Sequence, residues 1–371
     1  MKEKFDMKSV AFNKANITHL ADSIIDVYLE FEYDKFLNTI FLQLDSLELK
    51  KRSNLIEDAL VSFLPKPFQR GVDVLLKILP DEIIDTENFG YDGFILMPQA
   101  GYVTRCGMEN FELSMNAFYE ITRRFTAEFH IRFFILEHYE KTMQILEKWC
   151  MDDCPHVRRL VSEGCRPRLP WAFALNRFKK DPTPILKLLE KLKNDPELYV
   201  RRSVANNLND ISKDNPDVVI KTLISWQDDT KEMRWLTKHA LRTLLKDGNV
   251  DALSLLGYKQ SDKFDVTITL NATKIYLGEN LDFNVEISSK EVKPLKIMID
   301  FIIYYKKANG SLSPKVFKLS SKTIKANETI NISKKHKLAN FSTRKHYKGE
   351  HNIALVINGK IYDKHSFELK V

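Results

Sequence analysis

No stretch of about 18 or more apolar residues occurs in this 371-residue chain, which removes a membrane-spanning helix from consideration. The opening MKEKFDMKSV lacks the apolar core of an export signal, so the expected address is the cytoplasm, with no membrane partner. Cysteine is scarce: Cys106, Cys150, Cys154 and Cys165 are the four, and none falls in the last 200 residues. A secreted β-sandwich would want a disulfide there, so plain thiols in a reducing compartment are expected. No P-loop or G-x-G-x-x-G precedes a helix, which leaves nucleotide-cofactor chemistry without support. Cys150, Cys154 and His156 lie close together, but Cys-x3-Cys without a second pair is a poor zinc set. Neither metal nor cofactor is therefore expected.

What is present divides in two. The length exceeds one ordinary core and points to two domains. Up to about residue 260 apolar residues recur at helical spacing, as in ITHLADSIIDVYLEF, VDVLLKIL, TPILKLLEKL and VVIKTLISW, with breaks at Pro, Gly, Asn and Asp. Beyond it the pattern alternates with period two in FDVTITL, IYLGENLDFNVEIS, PLKIMIDFIIYY, ETINISKKHKL, HNIALVI and HSFELKV. About seven short strands at this rhythm fit an all-β immunoglobulin-like sandwich. The domains are placed at 1–258 and 263–371. The stretch ENFGYDGFILMPQAGYVTRCGMENF reads as a long irregular connection within the helical part.

Charge follows the same division. Residues 262–371 hold 20 Lys and Arg against 11 Asp and Glu, a balance of +9, and the remainder carries −2. The β segment is the polyanion-facing piece if phosphates are bound; a lysine-rich surface that merely keeps it soluble is the alternative.

A loose repeat runs through the helical part. His130-Ile131-Arg132, His156-Val157-Arg158-Arg159, Tyr199-Val200-Arg201-Arg202 and Glu232-Met233-Arg234-Trp235 each open a helix, at intervals of 26, 43 and 33 residues. Such spacing suggests an all-α HEAT-like solenoid, whose concave face takes a long ligand. In PHVRRLVSEGCRPRLPW, Arg159, Glu163 and Arg166 stand at i, i+4 and i+7, putting a carboxylate between two guanidinium groups. In YVRRSVANNLNDI, Arg202, Asn206 and Asp210 are read as repeating that arrangement, and Trp235, Lys238, His239 and Arg242 continue a basic edge. Solvated faces with ordinary ion pairs would look similar for any one helix; three in register suit backbone phosphates and a reacting sugar.

The runs CPHVRRLVSEGCRPRLPWAFAL, DPTPILKLLEKLKNDPELYVRRSVANNLNDISKDNPDVV and FELSMNAFYEITRRFTAEFHIR closely resemble the AlkC branch of the HEAT-like-repeat alkylpurine DNA glycosylases, relatives of AlkD. The resemblance covers residues 1 to about 260, and some members carry a C-terminal immunoglobulin-like domain. It implies excision of cationic N-alkylated bases such as 3-methyladenine and 3-methylcytosine from double-stranded DNA, without flipping the base into a deep pocket. It maps catalytic carboxylates onto Glu163, Glu128 and Asp210, an aromatic wall onto Trp171, and phosphate-gripping arginines onto Arg159 and Arg166. A carboxylate beside the sugar would stabilise an oxocarbenium-like transition state and align water, with Glu163 the first choice, while Trp171 could meet the cationic nucleotide through its π face or be an anchored core residue.

Arg202, Asn206, Lys238 and Arg242 are expected to contact DNA. In the β segment Lys306 and Lys307 flank tyrosines, and Arg344, Lys345 and Lys348 cluster in a loop that could clasp the duplex; a charged hairpin tip is the alternative. A single-site repair enzyme needs no partner subunit, so a monomer is expected. The competing class is a non-catalytic DNA- or protein-binding repeat scaffold.

Overall fold

The computed structural model describes residues 6–83, 85–86, 92–340 and 345–370. Helices fill the chain to Leu255 and strands begin at Phe264, so an all-α repeat array precedes an all-β sandwich.

The repeats form where short amphipathic helices stack side by side. The helix Pro155–Gly164 places proline in its first turn, where the missing N–H costs nothing, and buries Val157, Leu160 and Val161 on one stripe. It packs against the helix Leu198–Ile211, which packs in turn against Lys231–Ala240. The Leu198 helix buries Val200, Val204, Leu208 and Ile211, the spacing of a core-facing stripe.

The segment read as a long irregular connection is instead largely helical. After a short 3-10 turn, Asp92–Leu96, the helix Met97–Gly107 runs through it almost wholly buried; residues 87–91 lie outside the described residues. Its glycines act as close-approach points, which explains the misreading. A Cβ at Gly101 would meet the Glu57 carboxylate at 2.1 Å, and one at Gly107 would meet the Ser114 hydroxyl at 2.2 Å. Pro98 sits in the first turn, where it starts a helix rather than breaking one.

Among the described residues the sandwich has eight strands: β1 (Phe264–Leu270), β2 (Lys274–Tyr276), β3 (Asn280–Ser289), β4 (Leu295–Lys306), β5 (Leu312–Ile324), β6 (Thr329–Lys337), β7 (Gly349–Ile357) and β8 (Lys360–Lys370). One sheet has the order β1-β3-β6 and the other β2-β8-β7-β4-β5. Between them Phe283, Ile287, Ile299, Phe301, Leu355 and Phe367 form a shared core. The strand that alternation failed to reveal is β5, which holds Pro314 and several lysines. It lies at a sheet edge, where a residue without an N–H and a row of charges are tolerated.

Two compact units divide the chain differently from the change in secondary structure: Met1–Asn215 with Gln227–Ala240, and Pro216–Trp226 with Leu241–Val371. The second joins the last helices to the sandwich. Leu253 of the helix Val250–Leu255 packs with Tyr258 and Met298, the Tyr258 hydroxyl pairs with Ser321 Oγ at 2.8 Å, and Lys296 Nζ donates to Leu256 O at 2.9 Å. Asn358 accepts from the Met298 N–H at 2.7 Å and donates to Lys259 O at 2.6 Å. A chain ended at residue 258 would strip Met298 from the cluster of Leu253 and Tyr258 and leave only Leu245 and Leu256 beside them. Amide exchange in residues 242–256 is expected to approach open-chain rates in that truncation; full protection there would show that these helices stand without the sheet.

Candidate active site

A chain of alternating charges crosses the first unit. Arg159, on the Pro155 helix, is ion-paired with Glu128 and lies 3.5 Å from Glu163 Oε1. Arg166, just past the end of that helix, donates through Nη1 to Glu163 Oε1 at 2.6 Å and through Nε to Asp210 Oδ2 at 2.8 Å. Lys213 closes the row at 3.0 Å from Asp210 Oδ1. Thr126 Oγ1 donates to Glu128 Oε2 at 3.0 Å. Ser203, from the neighbouring helix, donates to Glu163 Oε2 at 2.6 Å.

Glu128, Arg159, Glu163 and Arg166 line a cavity of about 410 Å³ together with Phe94, Phe125, Trp171 and Tyr199. Asp210 does not line it; it is buried behind Arg166. The two carboxylates on this cavity repel one another, and the guanidinium groups of Arg159 and Arg166 interleaved with them offset that repulsion.

The electrostatics follow from that interleaving. Burial pushes the Glu163 carboxyl up, but Arg159 and Arg166, with hydrogen bonds from Ser203 and Arg166, overcome it and hold the group below its ordinary value. Burial likewise pulls Arg159 and Arg166 down, and their carboxylate neighbours carry both above the ordinary arginine value. Cys165 is pushed up to about 12 by burial, so it is a neutral thiol, donating to Ser162 O at 3.7 Å and accepting from Asn207 at 3.3 Å.

The end of the Pro155 helix is tied down from an adjacent repeat. Arg132, fully buried in the helix Ile131–Glu137, donates through Nη1 to Gly164 O at 2.8 Å and Arg166 O at 2.7 Å, and through Nη2 to Phe173 O. Between those anchors the chain carries Trp171, 56% exposed, at φ 69°, a left-handed conformation that a bulky side chain adopts at a cost. Its carbonyl accepts a hydrogen bond from Lys50, whose ammonium lies 6.0 Å over the indole ring. Trp171 is therefore a presented wall residue, and its backbone should prefer glycine to alanine. Trp171→Gly is expected to be about 1 kcal/mol more stable than Trp171→Ala in urea denaturation; the opposite order would mean that the loop relaxes out of this conformation.

Other expected contacts fall differently. On a helix advancing about 100° per residue, positions i and i+8 drift apart by about 80° while i and i+7 nearly coincide. Arg202, Asn206 and Asp210 therefore do not share a face: Arg202 is exposed, Asn206 pairs with His239 at 3.0 Å, and Asp210 turns inward with Ser203 and Asn207. Trp235 and His239 stack at 5.0 Å and Lys238 is exposed. Arg242 does not continue that helix; the chain breaks at Leu241 and Arg242 begins a new helix in the second unit. Arg159 and Arg166, expected to grip phosphates, are committed to buried carboxylates. Lys345 and Lys348 are exposed; Arg344 lies outside the described residues. The supports that sequence reasoning missed are Ser203, Asn207, Thr126, Tyr199 and Lys50. For Ser203 and Asn207 the signal was their spacing of i, i+4 and i+7 with Asp210.

Known proteins share this architecture. Residues 265–371 match the family model described as the C-terminal Ig-like domain of the uncharacterised protein YhaZ. The protein YhaZ of Bacillus subtilis (strain 168) is 37% identical over 366 residues, which cover 98% of this chain and 99% of its own length. The structure of the Pseudomonas fluorescens alkylpurine DNA glycosylase AlkC bound to DNA containing an abasic site analog superimposes with a TM-score of 0.90 and 33% identity, over 99% of this chain and all of that one. A helical-repeat array carrying a buried carboxylate–arginine network, followed by an Ig-like sandwich, is the class that the fold and the site define. The chain belongs to the AlkC branch of the HEAT-like-repeat alkylpurine DNA glycosylases.

Proposed function

We propose that the protein is a DNA repair glycosylase that hydrolyses the N-glycosidic bond of cationic N-alkylated bases, 3-methyladenine and 3-methylcytosine, in duplex DNA without drawing the base into a pocket. The observation that carries this reading is the pair Glu163 and Glu128, placed on a cavity walled by Trp171 and Tyr199. A base alkylated at a ring nitrogen already bears positive charge and leaves as a neutral molecule, so no protein acid is needed. Glu163, held charged, is suited to stabilise the developing sugar cation and is a poor proton donor.

Roles divide by what each carboxylate has left to offer. Both Asp210 oxygens are taken, by Arg166 and Lys213, so it supports Arg166. Both Glu163 oxygens are held, by Arg166 and Ser203, so it supplies a fixed negative field. Among the described hydrogen bonds and ion pairs of Glu128 only Oε2 is engaged, by Thr126 and Arg159. Oε1 is therefore the oxygen available to take a proton from the water that adds to C1′ as the base departs with the bond pair. The exposed Lys238, Arg202, Lys345 and Lys348 supply phosphate contacts, and the protein acts as a monomer. The test is single-turnover release of methylated bases from methylated duplex DNA. Release of 3-methyladenine or 3-methylcytosine supports the reading, and well-folded protein that binds DNA but releases nothing would leave a scaffold.

A further inference from the structure

Glu163 has a support that comes from the neighbouring repeat and that the charge network does not require. Both arginines approach Oε1, Arg166 at 2.6 Å and Arg159 at 3.5 Å. One-sided contacts fix where the carboxylate sits but leave its terminal torsion, which is intrinsically broad, free to swivel. Ser203 Oγ holds the other oxygen at 2.6 Å. A hydroxyl has a single proton, and an ionised acceptor claims it. The lone pairs of Ser203 Oγ then accept from Ser162 Oγ at 2.7 Å, and the Ser162 carbonyl accepts from Asn207 Nδ2 at 2.8 Å. Ser162, Ser203 and Asn207 are all buried, so no solvent competes for these bonds.

We propose that Ser203 is a positioning residue that sets the plane of the Glu163 carboxylate, with Ser162, itself held by Asn207, orienting Ser203; this rests on the glycosylase reading for its rate consequence. The relay joins the Pro155 helix to the Leu198 helix, so the direction of the negative field toward the sugar is locked to the packing of two repeats. The charged and titratable groups around Glu163 are Arg159 on its own helix, Arg166 beyond the helix end, Glu128 through Arg159, and Asp210 and Tyr199 on the Leu198 helix. Ser203 is the uncharged member, so its removal alters hydrogen bonding to Glu163 while leaving every ion pair in place.

Two readouts on the full chain test this. Single-turnover release from methylated duplex DNA and affinity for the same duplex are compared for the unsubstituted protein, Ser203→Ala and Ser203→Thr, and the titration midpoint of the Glu163 carboxyl carbon is followed by carbon-13 NMR. Ser203→Ala is expected to slow release by about 10- to 100-fold with affinity kept within about threefold, and to move the Glu163 midpoint up. Ser203→Thr, which retains the hydroxyl, recovers most of both. Unchanged rate and midpoint in Ser203→Ala, or equal losses in both variants with the midpoint unmoved, would assign Ser203 to packing and overturn the proposal. If the unsubstituted protein releases no base, the glycosylase reading fails, and the midpoint alone decides: raised in the alanine variant it upholds the positioning role, unmoved it removes it.

Discussion

Glu163→Gln is expected to reduce the single-turnover rate of base release by about 10²- to 10³-fold, the usual cost of removing one preorganised electrostatic group, while DNA affinity stays level or tightens. Glutamine keeps the shape of the side chain and removes only its charge. The fold should tolerate the exchange, because Arg159 keeps Glu128 and Arg166 keeps Asp210 as ion-pair partners, so neither guanidinium is left buried and alone. Binding should not suffer, since deleting a negative charge from a surface that meets phosphates removes a repulsion. The split between rate and affinity is the diagnostic feature. An affinity loss matching the rate loss would mean that Glu163 serves substrate binding, and a wild-type rate would remove it from the chemistry.

How much of this was legible in the sequence differs by feature. The all-α repeat and the all-β sandwich are written in periodicities of 3.6 and 2, which local burial imposes directly. Glu163 and Arg159 were legible as partners because i and i+4 meet on any helix. Arg166 reaches Glu163 for another reason: the helix ends at Gly164, and the chain turns back under the hold of Arg132, a contact 34 residues away in sequence. Asp210 was found, but its face was misjudged by one position, which hid Ser203 and Asn207. The Met97 helix was hidden because glycine and proline signal breaks in isolation, whereas here tertiary contact selects them for close packing. Lys50 lies 121 residues from Trp171, and no local pattern announces such a pair.

The largest stability effect is expected at Arg132, which has no carboxylate partner among the described ion pairs. Its guanidinium is buried among backbone carbonyls, and that burial pulls its pKa down to about 10. Two opposing terms decide what Arg132→Met does. Relief of the buried charge favours the variant, as the effective penalty for burying one ion is several kcal/mol. Against it, the carbonyls of Gly164, Arg166 and Phe173 lose their donor, at about 1–3 kcal/mol for each group left unsatisfied. The carbonyl of Gly164 also belongs to a helix C-terminus, where positive charge is favoured by the helix dipole. The balance predicts a net loss of about 3 kcal/mol in urea denaturation. Arg132→Lys should do little better, because one ammonium on a flexible stem cannot reproduce a planar fork spanning three acceptors. Activity at a temperature where the variant remains folded should fall as well, since the freed segment carries both Arg166 and Trp171. A Met variant within about 1 kcal/mol of the unsubstituted protein would mean that water replaces the guanidinium at those carbonyls, and that the end of the Pro155 helix holds Arg166 in place without help from the adjacent repeat.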